Sequence, residues 1–194
     1  MKISKIAQIC KKTGQVYMLD GASHQGQWIG DGRAFYAVSG IPAMTEESIL
    51  TLFDVPQERR DAWIARRMDH MPGTVSLDDY APGEEPVGSG SDLAAIVWRG
   101  NTYRPIRTSQ GIVLLPGGFL APLMDEKARE GVVLFERKMA KGGVYIAVKT
   151  GIFLRAVIVP AEFDAEIAAA LGEMAREYVG RTEQGVDGQV RMDG

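Results

Sequence analysis

"GQWIGDGRAF", Gly26 to Phe35, decides how the N-terminal part of the chain is read. Three glycines and an aspartate interrupt apolar residues, which fits either a loop that cradles a phosphate or a tight turn between strands. A phosphate cradle needs its glycines to open directly into a helix, whose first amides point at the anion. Here Gly30-Asp31-Gly32 runs into "RAFYAV", a strand pattern, and no Gly-Lys-Ser/Thr follows. Phe35 also stands where the third glycine of the dinucleotide-binding spacing belongs. Asp-Gly between apolar runs is instead the signature of a β-hairpin. The turn is the expected reading, with Trp28 and Phe35 near each other across it.

Working outward, Ile3, Ile6, Ala7 and Cys10 fall on one side of a helix that ends at Thr13-Gly14. "QVYML", "QWI" and "RAFYAV" read as strands, and "SGIPA" as a turn. Thr45 caps a second helix, with Glu46 and Glu47 in its first turn, where the helix dipole favours acid. Its buried face is Ile49, Leu52 and Phe53. Pro56 opens a third helix, "QERRDAWIARRM", with Trp63 and Ile64 inward. Further on, "LAAIVW", "TYRPI", "GIVLL", "VVLFERKM", "VYIAVKT" and "IFLRAVIV" read as six strands. The connections between them are too short for helical crossovers, so mostly antiparallel pairing is expected. A last helix carries Phe163, Ile167, Leu171, Met174 and Tyr178 on one face. A shift of 118 residues lays Phe35, Pro42, Ala43 and Ile49 over Phe153, Pro160, Ala161 and Ile167, so strand, proline turn and helix recur.

The 194 residues are 45% hydrophobic, enough for a real core, and the formal net charge of −3 gives no bulk attraction to nucleic acid or an acidic membrane. One cysteine, Cys10, excludes an internal disulfide and fits a reducing compartment. No apolar run is long enough for a signal peptide or a membrane span. Residues 68–92 carry six acids and no lysine or arginine, and are rich in Pro, Gly and Ser. Such a stretch has little to bury and reads as a linker or a long mobile loop.

Few residues look like chemistry. His24 and His70 sit in polar, turn-like sequence with no ligand-spaced partners, so no metal site is expected. Asp78-Asp79 and Glu84-Glu85 lie in the acidic stretch, where a mobile pair holds no catalytic geometry. "ILTLFDV", Ile49 to Val55, is similar to the peptide that partners insert into a bacterial sliding clamp, but its apolar residues are explained as a helix's core face. The basic residues are more informative. "VWRGNTYRPIRTSQG" brings Arg99, Tyr103, Arg104 and Arg107 together with Trp98, a mixture that grips phosphates and stacks bases. Arg104 shares a strand face with Thr102 and Ile106, and Tyr103 with Arg107. Arg155 interrupts "IFLRAVIV" on the face of Phe153 and Val157, either as the wet side of a half-buried sheet or as a site residue.

"GQWIGDGRAFYAVSGIP", "EESILTLFDVP", "YRPIRTSQGIVLL" and "YIAVKTGIFLRAVIVP" carry a resemblance to proteins encoded by phages and prophages of Gram-positive bacteria. The resemblance implies a mobile-element origin and brings no catalytic residue with it. The order of helix, strand hairpin and helix also resembles the modules of DNA sliding clamps.

The expected fold is α+β: antiparallel β-sheets with helices packed on one face, in two related strand, proline-turn and helix modules. The expected division is an N-terminal α+β module at 1–68, an acidic linker or loop at 69–92, a C-terminal sheet and helix at 93–180, and a disordered tail at 181–194. The expected function is that of a non-enzymatic phage accessory protein acting through protein or nucleic-acid contacts, in DNA replication or regulation. Arg99, Tyr103, Arg104, Arg107 and Arg155 are its candidate binding residues. One alternative is an enzyme or small-ligand binder with a site assembled between the two halves; another is a virion structural or assembly protein. No cofactor is expected. Partners are another protein or a second copy of the chain, with nucleic acid beside them and no membrane, in the host cytoplasm.

Overall fold

The structure is a computed structural model, and its described residues are 2–21, 26–71, 75–87, 95–98, 100–124, 131–140 and 142–161. The chain divides into two compact units, Met1–Pro160 and Ala161–Gly194. The second unit, apart from Ala161, lies outside the described residues, and so do the expected last helix and tail.

The framework of the first unit is an eight-stranded sheet. Helix α1 (Ile3–Thr13) leads into strands β1 (Gln15–Asp20), β2 (Gln27–Gly30) and β3 (Ala34–Val38). Helix α2 (Glu46–Leu52) and a 3₁₀ turn (Gln57–Ala62) precede β4 (Ile64–Arg67), and a short β5 (Glu85–Val87) follows. Strands β6 (Ile96–Trp98), β7 (Asn101–Thr108) and β8 (Gly111–Pro116) form a separate three-stranded sheet. A second 3₁₀ turn (Gly117–Leu120) comes before β9 (Val132–Lys138), β10 (Val144–Thr150) and β11 (Phe153–Ile158). The large sheet runs β4-β1-β2-β3-β11-β10-β9-β5. It consists of two antiparallel meanders, β1–β2–β3 and β9–β10–β11, joined through their third strands and each extended by one outer strand. Strands from before and after the acidic stretch therefore join in one sheet. Phe35 and Phe153, equated by the 118-residue shift, lie on the two strands that join.

The quoted turn shows why this pairing forms. In the β2–β3 hairpin Trp28 faces Ala37 and Gly30 faces Phe35. Trp28 and Phe35 bury themselves in one cluster, as expected. The loop does hold an anion, but the anion is its own. The Asp31 carboxylate accepts from the amides of Arg33 (3.0 Å) and Ala34 (2.9 Å). Those two amides are spent on a side chain rather than left open to a phosphate. Gly32 takes φ of +96°, where a side chain is strained. A methyl group on Gly30 would meet the Ala34 carbonyl oxygen at 1.8 Å, so only glycine fits.

Helices and the small sheet cover one face of the large sheet. Ile6, Cys10, Ile49 and Phe53 from the helices, Ile106 and Leu115 from β7 and β8, and Met18, Ile29, Tyr36, Ile146 and Ile158 form a single cluster. The Tyr36 hydroxyl donates to the Phe119 carbonyl (2.7 Å), tying the second 3₁₀ turn to the sheet. Thr45 caps α2 as expected: its Oγ1 accepts from the Ser48 amide (3.1 Å) while Ser48 Oγ accepts from the Thr45 amide (2.7 Å). The opposite face carries Trp28, Phe35, Tyr145 and Val157, against which Val75 and Leu77 pack.

One expected element differs. "QERRDAWIARRM" is not one long helix: a six-residue 3₁₀ helix, Gln57–Ala62, gives way to β4, which pairs in parallel with β1. The edge of β1 would otherwise present unpaired amides and carbonyls, and pairing them outweighs the helix propensity of an Arg-rich segment. Ile64 is consequently 41% exposed at the rim rather than inward.

Substitution of Gly30 by alanine is expected to cost about 3 kcal/mol, because backbone, not a movable side chain, blocks the methyl group. Gly40 also has positive φ but open space around it, so its alanine variant loses only about 1 kcal/mol. Urea unfolding of both variants measures the difference.

Candidate functional site

Of the candidate residues, Arg99 lies outside the described residues. Tyr103 is partly buried, and its ring sits 6.4 Å from that of Trp98, tilted by 54°. Arg104 and Arg107 are exposed on β7, in register with Leu115 and Ile112. Ile106, on Arg104's face, is fully buried, so the strand emerges from the core toward its Asn101 end. Arg155 is not among these residues: Tyr103 and Arg155 line different cavities.

The Tyr103 cavity is an open cleft of about 470 Å³. One wall is the C-terminal turn of α1, with Lys12 and Thr13, and the β2–β3 turn, with Asp31 and Arg33. The other is Asn101, Thr102 and Tyr103 at the start of β7. Lys12 projects from a helix that ends at Gly14, whose φ of +67° lets its amide close on the Cys10 carbonyl (2.9 Å). Arg33 stands at the tip of the Asp31 turn. The ammonium of Lys12 and the guanidinium of Arg33 have no carboxylate partner among the described residues. Asp31 lines the same cleft, but its Oδ1 is held by the turn. Beneath it, burial, reinforced by the charge of Asp31, pushes the Cys10 thiol and the Tyr36 phenol far up. Both stay neutral, and the thiol is inert as a nucleophile.

A second polar constellation was hidden from sequence reasoning. Arg137 on β9 is buried to 2% exposure and Glu84 to 9%. Arg137 Nε donates to Glu84 Oε2 (2.8 Å), and Lys149 on β10 pairs with the other carboxylate oxygen. Arg137 also donates to the carbonyls of Asp78 (2.9 Å) and Asp79 (3.2 Å). Asp79 Oδ1 accepts from the Leu154 amide (2.7 Å), and the Tyr145 hydroxyl accepts from the Ser76 amide (3.1 Å). In its described residues 75–87, the acidic stretch is thus held on the sheet, and Asp79 and Glu84 are fixed rather than floppy. The signal was present only as Arg137 and Lys149, cations in apolar strands more than fifty positions away. On the opposite face Glu136 is also buried, accepting from the Ser109 amide (2.6 Å) and hydroxyl at the β7–β8 turn.

These carboxylates are spent on folding. Among the described residues no three His, Cys, Asp or Glu side chains lie together as a metal would need, and no helix is long and apolar enough to cross a membrane. No known protein family, curated protein or solved structure matches the chain. Among the described residues, the cleft holds two cations without an ion-pair partner, and Arg155 lines a separate cavity.

Burial raises the Glu84 pKa, but hydrogen bonds from Lys149 and Arg137 outweigh it and hold the carboxyl below the ordinary carboxylate range. A depressed folded-state pKa contributes stability that is present above the unfolded value and lost as pH falls through the folded one. Unfolding midpoints are therefore expected to drop on acidification from about pH 5 toward 3. Glu84→Gln leaves two buried cations facing each other, costs about 3–5 kcal/mol at pH 7, and flattens that acid dependence. Urea melts at several pH values measure both effects.

Proposed function

We propose that the protein acts by binding rather than by catalysis, as an accessory factor that holds single-stranded nucleic acid. Its contact surface is the Lys12–Arg33–Tyr103 cleft, with the exposed Arg107 further along the same face of β7 as Tyr103. The observation that carries this reading is the meeting, in one open cleft, of an aromatic ring and two cations that have no ion-pair partner among the described residues. Cations follow a phosphate backbone while rings accept stacked bases of any sequence, and Asn101 and Thr102 add hydrogen-bonding groups. The net charge of −3 makes this a local attraction, confined to the cleft. The phage-like wording of the sequence supports a setting in replication or regulation of a mobile element. A second reading, a small-ligand binder with a site assembled between the two halves, is supported by the Arg155 cavity, which draws residues from both.

Fluorescence anisotropy with a labelled oligonucleotide, repeated across salt concentrations, tests the first reading. Lys12→Ala with Arg33→Ala is expected to weaken binding and to reduce the slope of log affinity against log salt by about 1.4, at roughly 0.7 per lost phosphate contact. Tyr103→Ala is expected to cost about 1–3 kcal/mol with the slope unchanged. Unaltered affinity in both variants overturns the reading.

A further inference from the structure

The β11 strand is irregular where it passes Arg155. Val148 pairs with Ala156 and Lys149 with Leu154, so Arg155 is an extra residue bulged out of the ladder. Regular alternation from Val157 would put Arg155 on the face of Trp28 and Phe35. The bulge sends it instead into a cavity of about 360 Å³ on the helix-covered side, where α1 begins at Ile3. Bulges re-aim single side chains in this way, often at sites. The walls include Ile3, Leu123, Val132 and Val148, and Ser39 and Thr150 add polar groups to the lining. Arg155 is partly buried and lies 5.7 Å from the Phe153 ring. No carboxylate lines the cavity among the described residues, and the guanidinium has no ion-pair partner there. A cation partly drawn from water, with no carboxylate beside it among the described residues, is costly to hold there and favours an arriving anion.

We infer that this cavity binds a small amphiphilic monocarboxylate, its head on Arg155 and its apolar tail against Ile3, Leu123 and Val148. The inference rests on the second reading above and uses none of the residues of the cleft. At roughly 30 Å³ per liquid-packed heavy atom, the volume accommodates about a dozen non-hydrogen atoms, the size of a ten-carbon fatty acid. A planar guanidinium matches a carboxylate in two parallel hydrogen bonds. One cation balances one negative charge, whereas a phosphate monoester brings nearly two.

Isothermal titration calorimetry of the full chain with decanoate, decyl phosphate and decanol tests it. One decanoate per chain is expected, bound more tightly than either of the others. Arg155→Gln is expected to weaken decanoate on the order of tenfold or more while leaving decanol unchanged. Ser39→Trp, a change of an exposed rim residue, blocks decanoate and decanol alike, and it carries the test if the Arg155 variant does not fold. Decanol binding as tightly as decanoate, or decanoate indifferent to Arg155→Gln, overturns the anion assignment and leaves the cavity as a binder of apolar molecules. Tighter binding of decyl phosphate overturns the choice of carboxylate. No heat with any of the three overturns the inference and the small-ligand reading together.

Discussion

The antiparallel pairing of β3 with β11 is the constraint on which the rest depends. Only there do the N-terminal and C-terminal meanders touch edge to edge, with Tyr36 opposite Ala156 and Phe35 opposite Val157. These strands lie at the middle of the sheet, and β3 is buried from Ala34 to Val38. A strand buried on both faces needs apolar residues at every position, and "AFYAV" supplies them without alternation. Register follows: a slip of one residue would carry Phe35 away from Trp28 and thrust the Tyr36 hydroxyl, now bonded to Phe119, into the opposite apolar cluster. The Asp31 turn fixes that register at one end of β3, by clamping the amides of Arg33 and Ala34.

Onto this joined sheet the acidic stretch is latched by charge rather than by apolar area. Val75 and Leu77 supply the apolar contact, and Arg137, Glu84 and Lys149 decide the place. The net stabilisation of such a buried set is small, since desolvation consumes most of the Coulombic gain. Its effect is selective. Arg137 satisfies its donors only when Glu84 and the carbonyls of Ser76, Asp78 and Asp79 are all in position. Any other path for the segment leaves a buried cation unpaired, and that penalty gives the segment one location.

This division explains what was legible in the sequence. The Asp-Gly hairpin, the Thr45 cap, the six later strands and the helices on one face all rest on local signals: turn chemistry, a capping side chain, apolar alternation. Those signals act within a few residues, so they can be read along the chain. The misread parts are long-range. The β4 segment becomes a strand because β1 has a free edge. Glu84 is ordered because Arg137 and Lys149 wait on strands built later in the chain. Arg155 leaves its expected face because β10 and β11 differ in length by one residue at the bulge. The same holds for the cleft: Tyr103 stood out beside the arginines, while Lys12 and Arg33 reach it only through the fold.

Net charge misleads here for the same reason. Residues 68–92 hold six acids and make the chain appear averse to anions. Glu84 is neutralised by Arg137 and Lys149, and Asp79 accepts from the Leu154 amide. These charges face inward and project little field into solvent. Among the described residues Lys12, Arg33 and Arg104 have no carboxylate partner and keep their field outside. Among the described residues, Glu84 and Asp79 are thus matched inside the fold, while Lys12 and Arg33 stand at the cleft without an ion-pair partner. Attraction at short range is governed by that local imbalance, because beyond about 8–10 Å salt screens the remainder.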